Sequence, residues 1–259
     1  MGNINPIGLF DSGIGGVTIW KAIHKLLPNE NTIYLADSIN APYGQKSKDE
    51  IVKLCFKNID FLLNKNAKII VVACNTATTN AIKEIRQKYD VPIIGIEPAI
   101  KPAATKSVTQ TIGILATKGT LNSELFNESL KIYQNIKVVE QVGHGLVQLI
   151  ENGEIDSIEM HQLLKSYLEP MIKANIDYLV LGCSHYPFLI PQIRKLLPKH
   201  IEIIDSGEAV AKQTSAILSN NNNFNTTNFR PKKSFYTNAN PTVLNLILEN
   251  KYDIIYENF

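Results

Sequence analysis

Short β-branched runs alternate along most of the chain with longer stretches whose apolar residues recur every three or four positions. That alternation points to strand–helix units feeding a parallel sheet. Strands buried on both faces read as unbroken apolar runs, and the helices covering them need one apolar stripe. Strands are expected at 6–10, 32–36, 68–73, 92–95, 111–115, 136–139, 178–181 and 201–204. Helices are expected at 16–27, 47–63, 78–89, 120–130, 158–173 and 207–218, with a short one at 146–151. Past Lys233 the alternation resumes, giving edge strands at 234–237 and 254–256 around a helix at 242–250. The Asn-biased stretch 219–228 reads as a mobile surface loop without chemistry.

The chain also resembles itself. Gly8-Leu9-Phe10-Asp11-Ser12-Gly13 lies about 105 positions ahead of Gly113-Ile114-Leu115-Ala116-Thr117. Val71-Val72-Ala73-Cys74-Asn75-Thr76 lies about 109 ahead of Val180-Leu181-Gly182-Cys183-Ser184-His185. The fold class expected is therefore α/β: two similar open parallel-sheet domains related by a pseudo-two-fold axis, with the active site between them. The Pro-rich segment 97–102 and Asp205-Ser206-Gly207 are candidate crossings, which sets the domains at 1–97 plus 209–259 and 98–208. Ligands of open α/β sheets bind beyond the carboxyl ends of the strands, so those ends are where chemistry is sought.

Composition narrows the class. Among 259 residues, 44% are hydrophobic and 19% charged, which excludes disorder as the main state. A net charge of +2 is too small for a nucleic-acid footprint. No apolar run reaches the ~18–20 residues of a membrane span, and the first residues lack the basic and apolar regions of a signal peptide. A cytoplasmic location is the resulting expectation. Three cysteines suggest free thiols rather than a disulfide framework.

Cys74 and Cys183 each stand where an apolar strand gives way to a turn, and a helix start is expected after each. Either they are small buried hydrophobes, the usual state of a free cysteine, or they are working thiols. Cys55 illustrates the first case, sharing one helix stripe with Ile51, Leu54, Ile59 and Leu62. For the other two, the matched positions favour thiols facing each other across a cleft, with helix N–H groups supporting the thiolate. Such a pair can remove a proton from one face of a substrate and supply one to the other. Asp11 opens Asp11-Ser12-Gly13-Ile14-Gly15-Gly16, whose spacing matches neither a dinucleotide fingerprint nor a P-loop. It is either a helix N-cap or a carboxylate that serves a neighbouring thiol. His185 is either a satisfied core residue or a proton-transfer partner, and a Cys/His pair also suits a nucleophilic hydrolase. Pro42-Tyr43-Gly44 is a turn with an exposed aromatic, either a lid contact or plain turn chemistry. Glu151, taken by itself, reads as solvated. No metal site is expected, because there is no Cys-x-x-Cys pair and His24, His144, His161 and His200 lack ligand spacing with Cys74 or Cys183.

Phe10-Asp11-Ser12-Gly13-Ile14-Gly15-Gly16, Ala41-Pro42-Tyr43-Gly44, Ala73-Cys74-Asn75-Thr76-Ala77-Thr78, Gly95-Ile96-Glu97-Pro98-Ala99 and Gly182-Cys183-Ser184-His185-Tyr186-Pro187 together resemble the glutamate racemases. These are the cofactor-independent members of the aspartate/glutamate racemase family, and the resemblance covers roughly 7–210. It implies an isomerase that converts L-glutamate to D-glutamate with no cofactor. Cys74 would take the α-proton from D-glutamate and Cys183 from L-glutamate, with Asp11, Glu151 and His185 assisting. Asp11, Ser12, Pro42, Tyr43, Gly44, Asn75, Thr76, Thr117, Thr120, Ser184 and His185 would bind the amino acid. The product would feed bacterial peptidoglycan, and with it cell-wall biogenesis and cell shape. Its partner would be the small-molecule substrate, neither nucleic acid nor membrane, with a homodimer left open. Two departures stand out: Ser184 replaces a usual threonine, and Gly143-His144-Gly145 replaces a frequent Cys-Pro segment near Glu151. The rival readings are a racemase of another amino acid such as aspartate, a Cys/His hydrolase needing one thiol, and a non-catalytic two-lobed binding module.

Overall fold

The computed structural model describes residues 2–259. The first strands and α-helices are β1 (Ile7–Asp11), α1 (Val17–Leu26), β2 (Thr32–Ala36), α2 (Lys48–Asn64), β3 (Ile69–Val72) and α3 (Asn75–Lys88), and β4 (Ile93–Gly95) follows. The chain then crosses through α4 (Ile100–Lys106) into β5 (Thr111–Ala116), α5 (Lys118–Leu121), α6 (Glu124–Lys131), β6 (Lys137–Val142), α7 (Leu146–Glu151) and α8 (Ile158–Lys173). β7 (Tyr178–Gly182), α9 (Ile190–Leu196) and β8 (Glu202–Ile204) complete the second sheet. Finally α10 (Gly207–Asn220), β9 (Lys233–Thr237), α11 (Thr242–Ile247) and β10 (Ile254–Tyr256) return to the first.

The sheets run β10-β9-β2-β1-β3-β4 and β6-β5-β7-β8, and every pairing is parallel. In each, the first four strands take the order second, first, third, fourth. β3 and β7 are therefore equivalent, set beside β1 and β5 with Ile7 opposite Ile69 and Ile112 opposite Tyr178. Their apolar runs are buried, as strands covered on both faces require. α10 lies along α1, and Ser206 Oγ donates to the Glu97 carbonyl, tying the two crossings together.

The structure differs from the sequence pattern at several points, each with a local cause. The helix expected at 120–130 is two, because Thr117 caps α5 and Ser123 caps α6 by accepting from Phe126 N–H. The helix expected at 78–89 starts at Asn75, with the Cys74 sulfur as its cap. The crossing at 97–102 contains the start of α4, where Pro102 sits in the first turn and its missing N–H costs no helical bond. α9 falls where the sequence pattern predicts no element. β9 is an interior strand between β2 and β10, so of the two strands expected at the edge only β10 is there. The Asn-rich stretch is anchored rather than loose. Lys68 Nζ lies 2.7 Å from Glu30 Oε2, both side chains being buried, and donates to the Asn3 and Asn223 carbonyls. Asn225 N–H donates to Glu30 Oε1 at 2.8 Å. Removing one partner of such a buried pair costs roughly 3–5 kcal/mol, so this loop is built into the base of the first sheet.

Candidate active site

The cysteines leave the carboxyl ends of the equivalent strands β3 and β7 and line one small, closed chamber with a free volume of only about 10 Å³. Its walls are Ser12, Pro42, Tyr43, Gly44, Cys74, Asn75, Thr76, Thr117, Val147, Cys183, Ser184 and His185. Cys74 is 4% exposed and Cys183 6%, so both thiols are nearly shut from solvent. Cys55 is in the core, as its helix stripe predicts.

The two thiols are held differently. Cys74 Sγ accepts from Ala77 N–H at 3.4 Å at the start of α3 and contacts Ser12 Oγ at 3.6 Å. Burial pushes this thiol up, and the Asp11 carboxylate adds to the rise; the Ala77 and Ser12 hydrogen bonds oppose it without cancelling it. Cys183 has no such cap, contrary to expectation, because β7 is followed by a bend and a 3₁₀ turn over Tyr186–Leu189 rather than by a helix start. His185 Nδ1 lies 3.8 Å from its sulfur instead.

Behind that ring stands Glu151, whose Oε1 is 2.6 Å from His185 Nε2. The same carboxylate accepts from Ile14 N–H at 2.7 Å and from Ser38 Oγ at 3.0 Å, so it is engaged inside the structure, not solvated. Burial by itself would discharge the imidazole. Its hydrogen bonds to Cys183 and Glu151, with the charges of Asp11 and Glu151, outweigh that and hold its proton well above the ordinary histidine range.

Asp11 is wholly buried and outside the chamber wall. It accepts from Ser184 Oγ at 2.9 Å and from Gly13 N–H at 3.1 Å, and Gly16 rather than Asp11 occupies the N-cap of α1. Burial raises its carboxyl, with His185 pulling down and Glu151 pushing up. The glycine-rich turn has a steric reason unrelated to phosphate: a Cβ on Gly13 would sit 1.9 Å from Glu151 Oε1, and one on Gly15 would sit 2.2 Å from His185 Nδ1.

Tyr43 corrects the picture of an exposed aromatic. It is 1% exposed, and its hydroxyl donates to Asp37 and receives Asn58 Nδ2 at 3.1 Å, so only the ring is left for the chamber. Thr120 stands one layer back, its Oγ1 3.3 Å from that of Thr76 and 3.0 Å from that of Thr117. Asn75 is the reverse case. It is 2% exposed, lines the chamber, and among the described residues neither its Oδ1 nor its Nδ2 has a hydrogen-bond partner. A buried carboxamide with both ends unmet is an expensive arrangement unless a ligand completes it. Val147 joins the wall unforeseen, since an apolar residue on a short helix gives no signal of a site. No group of three or more His, Cys, Asp or Glu among the described residues is arranged to hold a metal ion.

Two equivalent parallel sheets that bring thiols, an imidazole and carboxylates around one closed chamber have the form of an enzyme of the two-domain α/β kind. A family model described as Asp/Glu/Hydantoin racemase matches residues 7–214. The chain belongs to that family and is a racemase, hence an isomerase. It is 46% identical over 216 residues to the glutamate racemase of Pseudomonas syringae pv. tomato, covering 83% of this chain and 78% of that one. The structure of Francisella tularensis glutamate racemase in complex with D-glutamate superimposes with a TM-score of 0.85 at 31% identity, covering 98% of each chain. That of Escherichia coli glutamate racemase, in complex with L-glutamate and the activator UDP-MurNAc-ala, gives 0.87 at 30% identity and covers 97% of each chain.

Proposed function

We propose that this protein interconverts L- and D-glutamate by two-thiol acid/base chemistry. The observation that carries the reading is the meeting of Cys74 and Cys183, from equivalent strand ends of two sheets, at one chamber that also holds the unpartnered Asn75 carboxamide. One thiolate removes the α-proton while the opposite thiol donates, so the configuration inverts without redox change. Cys74 serves D-glutamate and Cys183 serves L-glutamate. An α-proton is far less acidic than a thiol, so the carbanion-like state needs support, and N–H and hydroxyl donors around Asn75, Thr76, Thr117 and Ser184 are placed to hold carboxylate oxygens. A substrate ammonium entering the chamber brings the positive charge that a buried thiolate lacks, which offsets the penalty on Cys74. Asp11 acts through its charge on Cys74 and positions Ser184, and Glu151 acts through His185 on Cys183.

Glutamate is chosen over aspartate because the relatives aligned along most of the chain bear that name and two solved neighbours hold D- or L-glutamate. D-Glutamate made here would supply peptidoglycan synthesis in the cytoplasm. No helix among the described residues is long and apolar enough to cross a membrane. The chain divides into domains at 1–97 plus 209–259 and 98–208. Purified protein incubated separately with L-glutamate and L-aspartate, and followed by chiral chromatography, tests the assignment. Racemisation of glutamate with a clear preference over aspartate is expected; equal or greater efficiency with aspartate overturns it.

A further inference from the structure

The closed chamber adjoins a second, larger cleft of about 670 Å³, with which it shares Pro42, Gly44, Thr117 and Val147. Lys46, Lys118 and His144 line the larger cleft, and no Asp or Glu does. Among the described residues neither lysine amine is within ion-pairing distance of a carboxylate, whereas the neighbouring Lys48 and Lys83 pair with Glu84, Glu124 and Glu128. Glu50, four positions after Lys46, is folded onto Ser47 as a helix cap. At the junction of cleft and chamber, Asn80 Nδ2 donates to the Gly119 carbonyl at 3.0 Å and Thr76 Oγ1 meets Thr117 Oγ1 at 2.8 Å.

We infer that this cleft is the entry path of the substrate and that Lys46 and Lys118 form an electrostatic funnel selecting a small dicarboxylate. The inference rests on the glutamate reading. Glutamate carries two carboxylates and one ammonium, a net charge of −1 near neutrality, and the chain as a whole is only +2. Attraction must therefore come from a local, one-signed patch, and a concave wall with low-dielectric sides concentrates its field. Charges at this remove do not distinguish bound substrate from the transition state, because proton transfer between carbon and sulfur leaves the total charge of the site unchanged. They stabilise both equally, which lowers KM and leaves kcat alone.

The test compares wild type, the double variant Lys46→Gln/Lys118→Gln and a remote control, Lys173→Gln/Lys199→Gln, which lowers net charge equally. All positions are on the surface, and circular dichroism verifies folding. At low ionic strength the funnel variant should raise KM for glutamate about threefold to tenfold with kcat within about twofold, and the control should change KM less than about twofold. At about 0.5 M salt, where screening is nearly complete within several ångströms, the three proteins should converge. If wild type racemises glutamate but the funnel variant keeps its KM at low salt, loses kcat instead, or matches the control, the inference is overturned. If wild type does not racemise glutamate at all, the reading beneath it has failed instead.

Discussion

The Cys74 and Cys183 sides of the chamber occupy equivalent strand ends of the four-strand order that the two sheets share, yet the groups set around their sulfurs differ. Cys74 sits at a helix start, its sulfur accepting a backbone N–H, with a buried carboxylate nearby. Cys183 sits ahead of a 3₁₀ turn, with an imidazole at its sulfur and a carboxylate behind the ring. The backbone repeat conserves where the thiols emerge. The side chains around them do not repeat, so inversion proceeds in a site that is symmetric in architecture and asymmetric in electrostatics.

The strongest way to break this comparison is to remove one thiol at a time. Cys74→Ser and Cys183→Ser should each lower racemisation by roughly a thousandfold or more, because a serine hydroxyl is a far poorer base and acid in the same position. Chiral chromatography checks the loss, and near wild-type turnover by either variant would remove that thiol from the chemistry. In deuterium oxide the wild type should place solvent deuterium in the inverted product before it enters recovered substrate, the mark of two separate bases.

The next effect separates the supporting groups. Glu151→Gln and Asp11→Asn should each lower kcat/KM about tenfold to a hundredfold. The equilibrium between enantiomers is fixed by symmetry, so kcat/KM must fall equally in both directions. The asymmetry emerges with α-deuterated substrates: Glu151→Gln should enlarge the isotope effect chiefly from L-glutamate, and Asp11→Asn chiefly from D-glutamate. Identical enlargement from both enantiomers in both variants would mean that the two sides are not supported separately.

The smallest effect is in pH. On the proposed mechanism D-glutamate needs the Cys74 thiolate, and burial raises that thiol, so this form is scarce at neutrality and its population grows as pH rises. kcat/KM should therefore climb from pH 6 into the alkaline range, equally from either enantiomer. The Ser12→Ala variant, which removes a hydrogen bond to this sulfur, should move the rise to higher pH. A profile that falls over this range would contradict the protonated resting state of Cys74.

Local pattern accounts for what the chain discloses unaided. The eight strands of the two repeating cores, the cysteines at the ends of β3 and β7, and the Asp11 turn lie in apolar runs and turn residues adjacent in sequence, where a period of two or of three to four is visible. The internal repeat foretells two sheets for the same reason. Sequence reading has no such purchase on Glu151, which looks solvated on its own helix but meets Ile14, 137 positions away, and His185, 34 positions away, once the sheets pack. Nor does it foresee Tyr43, whose hydroxyl is taken up by Asp37 and Asn58, or Asn238, which reaches Asp37 from the far end of β9. The glycines of the Asp11 turn match no phosphate-binding spacing, and only the structure gives their reason, with Glu151 and His185 filling the space a Cβ would need. Sequence periodicity reports which face of an element turns inward. Which buried polar groups meet there depends on contacts between residues far apart in the chain, and those exist only after the two sheets have closed on each other.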